Sequence, residues 1–197
     1  MVWDDTSEGA PVGRDEPIEL VGTHLRLMGV VALGRFGRLT DLINASSGYL
    51  RVRDARLLRR NGDPTNLVLP ELMVDQDEIS FIAQTQAPIP ERGEGVPFIE
   101  PGYGHAGEAR KPREFVIFTP GHTVNGKIHV FGETDLAGFV DATEPRFLAV
   151  TGVTARSLAD RRVISHYDFI LMNRTQMIAA SEVGRQGDIA PEDVPEL

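Results

Sequence analysis

The sequence predicts a mostly β protein made of two tandem small five-stranded β-barrel-like domains, each carrying one short helix. Three observations lead there. Two distant stretches of the chain superpose without a gap. Within each, hydrophobic periodicity passes from the two-residue repeat of a strand to the i, i+3, i+4 spacing of a helix and back again. A long tract rich in proline and glycine separates the two.

The matching stretches run from Leu27 to Ala45 and from Val124 to Ala142. Gly29 falls on Gly126, Leu39 on Leu136, Leu42 on Phe139, Ile43 on Val140 and Asn44 on Asp141. After one inserted residue the match resumes, with Tyr49-Leu-Arg-Val against Phe147-Leu-Ala-Val. Self-similarity of this kind is the signature of a duplicated unit.

The elements follow in order. Ile18 to Val21 and Leu25 to Leu33 read as the first two strands, with Phe115 to Phe118 and Val124 to Val130 as their counterparts. Leu39, Leu42 and Ile43, like Leu136, Phe139 and Val140, then place three apolar side chains on one face of one or two helical turns. Thr134 is the expected N-cap of the second helix, and Gly37 stands at the matching place before the first. A third strand is expected at Tyr49 to Leu57 and at Phe147 to Ala155. Its alternation slips by one residue at Asp54 and at the equivalent Gly152, which predicts a β-bulge in both. Arg60-Asn-Gly-Asp-Pro is a turn leading to a fourth strand near Leu67 to Val74, and the fifth is expected at Ile79 to Ala83 and at Met177 to Ser181.

The expected organisation is thus an acidic tail over 1–16, a first β domain over 17–85, a Pro/Gly-rich connection over 86–112, a second β domain over 113–183 and an acidic tail over 184–197. The connection carries Val96, Phe98, Ile99 and Tyr103, more apolar residues than a spacer needs, and is expected to be an interaction loop that packs on a domain or a neighbouring subunit.

The motif Arg38-Leu-Thr-Asp-Leu-Ile-Asn44, followed by Tyr49-Leu-Arg-Val-Arg-Asp-Ala55, resembles an uncharacterised bacterial small β domain of unknown function, in which a strand leads into Arg-Leu-Ser-Asp-Leu-Leu-Asn. Asp135-Leu-Ala-Gly-Phe-Val-Asp141 keeps part of that motif. The resemblance implies the fold and the duplication, and supplies no catalytic residue. The small-barrel character is also similar to Sm-like domains, with the helix here following the second strand instead of preceding the first.

Composition narrows function by exclusion. The chain of 197 residues has 41% hydrophobic and 25% charged residues, enough to build a core. It contains no cysteine, which removes disulfides, thiolate metal sites and cysteine nucleophiles. A net charge of −9 argues against nucleic acid or an anionic membrane as the main partner. The acidic N-terminus lacks the basic-then-apolar pattern of a secretory signal, and no run approaches the roughly 20 apolar residues of a membrane span, so a cytoplasmic location is expected.

No string in the chain carries catalytic chemistry. Gly102-Tyr-Gly-His-Ala-Gly107 matches GxGxxG, but Pro101 and Pro112 flank it where a dinucleotide fold needs a strand and a helix. Ser165-His-Tyr-Asp168 has the letters of a hydrolase triad, yet neighbours on a strand point apart. His24, His105, His122, His129 and His166 are not spaced as metal ligands, and no metal or cofactor is expected. The local excess of positive charge is Arg51, Arg53, Arg56, Arg59 and Arg60, a candidate ligand-binding face for a small anion or RNA. The first expectation is therefore a non-enzymatic interaction or scaffold protein that self-associates or serves as a subunit of a larger assembly, a homo-oligomer or the partner of another protein. A regulatory module using the arginine face is the second, and an enzyme with a site between the two domains the third.

Overall fold

The structure, a computed structural model, describes residues 14–59, 61–85, 111–130, 138 and 145–183. Among these, the first half of the chain contributes β1 (Asp15–Gly22), β2 (Arg26–Ala32), helix α1 (Leu39–Ala45), β3 (Tyr49–Leu58), β4 (Pro64–Asp75), a 3-10 turn η1 (Gln76–Glu78) and β5 (Ile79–Gln84). The second half contributes β6 (Lys111–Phe118), β7 (His122–Val130), β8 (Phe147–Ser157), β9 (Ile164–Asn173), a 3-10 turn η2 (Arg174–Gln176) and β10 (Ala179–Val183). Asp15 and Glu16, expected in the tail, and Lys111 and Pro112, expected in the connection, are strand residues.

Where the sequence predicts two barrel-like domains, the described strands form a single sheet. All ten strands belong to one antiparallel sheet in the order β10-β6-β7-β8-β9-β5-β1-β2-β3-β4, and that sheet does not close. The edge of β5 that would have to turn back to β4 to close a small barrel is taken by β9 instead. Period-two patterning decides which face of a strand is buried, and says nothing about which neighbour takes its edge.

Two cores lie on opposite faces of the shared central strands. In β5, Ile82 packs in the core with Ile18, Leu20, Leu27 and Val52, while its neighbours Phe81 and Ala83 pack with Phe115, Val124 and Val150. In β9, Leu171 joins the first core and Ile170 and Met172 the second. Strands buried on both faces read as continuous apolar runs, which accounts for Ile79-Ser-Phe-Ile-Ala and Phe169-Ile-Leu-Met. Helix α1 covers the first core with Leu39 and Ile43. So short a helix depends on that packing. Its N-cap is Arg38, which makes no side-chain capping bond, and not Gly37. Thr134, Leu136, Phe139 and Val140 lie outside the described residues.

Both bulges form where the alternation slips. Asp54 has φ 49° and Gly152 φ 58°, and the β2–β3 and β7–β8 registers each shift there. Opposite the bulges stand Gly29 and Gly126. A Cβ on Gly29 would lie 2.4 Å from Val52 Cγ1, and one on Gly126 2.6 Å from Val150 Cγ1, so the inward bend of each bulged strand requires glycine across from it.

Candidate functional site

The best-developed surface of this molecule is the contact between its two halves, together with the strand edges that resemble it but have no partner. In the contact, β5 pairs with β9 through Phe81–Met172, Ile82–Leu171 and Ala83–Ile170. Phe81 places its ring edge-on to His122 and to Tyr167, with centroids 5.6 and 5.8 Å away. Asn173, fully buried, donates through Nδ2 to the carbonyls of Gln76 and Ile79 at 3.0 and 2.8 Å. From α1, Asn44 clamps the first residue of β8: its amide donates to the Phe147 carbonyl at 3.1 Å, and its oxygen accepts from the Phe147 N–H at 2.8 Å. Arg146 pairs with Asp77, and the Gln176 side chain donates to the Asp77 carbonyl.

A polar cluster sits beside Phe81. Arg26 Nε donates to Glu19 at 2.6 Å, and its guanidinium reaches Ser165 Oγ at 3.1 Å and Tyr167 Oη at 3.4 Å. Burial, with the nearby Glu19, raises the Tyr167 phenol above its ordinary range. Burial, reinforced by the Arg26 charge, lowers His122 to about 4. Arg26, Glu19, Ser165 and Tyr167 bond to one another across the two halves, which is what desolvated polar groups require. Their arrangement fastens the halves together.

The sheet ends at β4 and β10, whose outer edges have no strand partner among the described residues. Large apolar side chains are exposed at both ends: Leu67, Val68 and Met73 on β4, Phe118, Ile178 and Val183 on and beside β10. Ile178 is 69% exposed and Met73 51%. Next to β4 lies a mostly apolar groove of about 320 Å³ whose walls include His24, Leu25, Leu69, Leu72, Met73 and Val74. Long unpaired edges with exposed apolar side chains template further strand pairing.

Of the arginine face, Arg51, Arg53, Arg56 and Arg59 are described, and two of these four are ion-paired. The bulge keeps Arg51, Arg53 and Arg56 on the outer side of β3. Arg51 pairs with Glu71 on β4, and Arg53 with Asp15 on β1. Arg59 is exposed beyond the strand, and Arg60 lies outside the described residues, as do Val96, Phe98, Ile99, Tyr103, His105 and the Gly102–Gly107 string. The remaining histidines are dispersed: His24 in the groove, His122 in the contact between the halves, His129 against Thr151, and His166 against Thr154. No group of three metal-ligating side chains occurs among the described residues. In β9, Ser165 and Tyr167 turn inward to Arg26 while His166 and Asp168 are exposed, so the triad letters alternate between faces. Among the described residues no helix is long and apolar enough to cross a membrane.

The residues that matter most, Phe81, Arg26, Asn173 and Met73, were not singled out by motif. One signal was present: β4 is apolar on successive positions, Leu67-Val-Leu and Leu72-Met-Val, as strands buried on both faces are, although it stands at an edge. The fold and these surfaces define an antiparallel β protein with two sheet edges that have no strand partner among the described residues. The chain matches no family model, no curated protein and no solved structure.

Proposed function

We propose that this chain is a non-enzymatic interaction or scaffold protein, built from two diverged copies of one five-stranded unit, that self-associates or serves as a subunit of a larger assembly. The observation that carries this reading is the pair of edges, unpartnered among the described residues, with exposed apolar side chains at the two ends of the sheet. Water-exposed edges are blunted by charge, proline or bulges in proteins that stay alone; β4 carries Pro70 and Glu71, yet the stretch Leu72-Met-Val beyond them leaves Met73 exposed beside a groove.

The correspondence of ladders supports the duplication. The spatial order within the first half is β5-β1-β2-β3-β4, and within the second β10-β6-β7-β8-β9. Ile18 opposes Gly29 as Phe115 opposes Gly126, Tyr49 opposes Asp75 as Phe147 opposes Asn173, and Val21 opposes Phe81 as Phe118 opposes Ala179. Asp75 and Asn173 also cap η1 and η2 in the same way, each accepting from the backbone N–H two residues on.

The mass of the native particle, measured by light scattering behind size exclusion at moderate salt, tests the reading. A defined multiple of 21.6 kDa is the expected result. A monomer across the accessible concentration range overturns self-association.

A further inference from the structure

Among the described residues the sheet contains one contact between its halves and leaves the matching pair of edges without a strand partner. That contact joins the fifth strand of the first half, β5, to the fourth strand of the second, β9; the fifth strand of the second half, β10, and the fourth strand of the first, β4, are the two ends of the sheet. We infer that a second copy of this chain docks head to tail, β10 of one molecule pairing antiparallel with β4 of the next in the register of the β5–β9 contact. The inference rests on the reading of the chain as self-associating, and names the partner and the surfaces.

The register follows from the ladders on either side. Phe81, Ile82 and Ala83 face Met172, Leu171 and Ile170 within the chain. At the open ends the equivalent residues are Ala179, Ala180 and Ser181 on β10, and Val74, Met73 and Leu72 on β4. Pro70 stands just beyond these three on β4. Having no N–H, it ends a new ladder there, so the intermolecular pairing is as short as the internal one.

The side chains are complementary as well. Inside the chain the cross-strand pair Val21–Phe81 puts its aromatic on the fifth strand, against His122 and Tyr167. At the open end the same pair is Phe118–Ala179, with the aromatic moved to the neighbouring strand and a small residue in its former place. Phe118 is 40% exposed. The receiving groove of about 320 Å³ has aliphatic Leu25 and Leu69 where the internal contact has His122 and Tyr167. A contact of β10 with β10 would set knob against knob, and one of β4 with β4 would set groove against groove and leave both empty.

One substitution weakens the new contact relative to the internal one. Asp75 stands where Asn173 stands, and it lacks the amide N–H groups through which Asn173 donates to Gln76 and Ile79. A heterologous contact of this kind propagates, closing into a ring or running on as a filament.

The absence of cysteine makes the test direct. Met73→Cys and Ala180→Cys chains are prepared separately, mixed and mildly oxidised; opposed residues of an antiparallel ladder lie within disulfide reach. A covalent dimer formed by the mixture and by neither variant alone is the expected result, together with a fall to the 21.6 kDa monomer on Phe118→Asp, a substitution at a half-exposed position. Cross-linking of either variant with itself overturns the head-to-tail arrangement. An oligomer that neither cross-links in the mixture nor responds to Phe118→Asp overturns this inference and leaves the scaffold reading standing. A monomeric parent that forms no cross-link overturns both this inference and the self-association on which it rests.

Discussion

The ring of Phe81, from the first half of the chain, stands at 80° to the imidazole of His122, from the second, with centroids 5.6 Å apart. This edge-to-face pair lies where one core hands over to the other, and it couples the stability of the halves to the charge on one histidine.

Burial and the Arg26 guanidinium lower His122 from 6.5 to about 4. The fold thus holds it neutral at pH values where the unfolded chain protonates it. Stability is fully present above about pH 6.5, falls as the pH drops towards 4, and changes no further from this group below that. Urea midpoints measured across the window should decline in the parent, and His122→Gln should remove that component of the decline.

Phe81 is a fully buried aromatic shared between strands of both halves. Phe81→Ala should cost about 3–5 kcal/mol, the usual consequence of emptying such a site. Equilibrium denaturation checks this. A loss below about 1 kcal/mol would mean that the two halves do not depend on the contact.

Arg26 and Glu19 form an ion pair whose side chains are only 14% and 11% exposed. Removing the cation alone strands a desolvated carboxylate, so Arg26→Met should destabilise by roughly 3 kcal/mol, whereas Arg26→Met combined with Glu19→Gln should recover most of that. A double-mutant cycle by denaturant titration reads the difference.

At the bulges the two halves solve one backbone problem with different residues. Asp54 sits at φ 49°, a region that costs a non-glycine residue roughly 1 kcal/mol, while its counterpart at φ 58° is Gly152. Asp54→Gly should therefore be neutral to stabilising, and Gly152→Ala destabilising by about 1 kcal/mol, even though open space surrounds it. Thermal melts of the two variants should move in opposite directions or differ by several degrees.

Asp75→Asn restores at the open edge the donor that Asn173 supplies inside the chain. The amide keeps the acceptor that caps η1. Association should tighten by roughly tenfold, about 1.4 kcal/mol, with the folding of the single chain unchanged. Dilution series monitored by light scattering measure it.

Much of the strand inventory was legible in the sequence. The alternation of Leu50, Val52 and Ala55, with its slip at Asp54, located β3 and its bulge because inward and outward positions experience different solvents. The helix was legible from Leu39, Leu42 and Ile43 for the same reason. Boundaries moved by a few residues, as at β4, which begins at Pro64 and not near Leu67, since ladder hydrogen bonds extend past the last buried side chain.

The partner of each edge was not legible. Every residue except proline offers the same backbone donor and acceptor, so the choice of β9 over β4 as the neighbour of β5 left no pattern in the letters. It was decided by the packing of Phe81 against His122 and Tyr167, by the bonds from Asn173 to Gln76 and Ile79, and by the Arg26 cluster. These contacts join residues separated by most of the chain, and only the folded structure brings them together. The sequence by itself determined a β protein with two bulges and a short helix, because those follow from local periodicity and backbone sterics. The tertiary structure decided that the strands form one open sheet with two cores on opposite faces, because edge pairing is settled by side chains that meet only after the strands are in place.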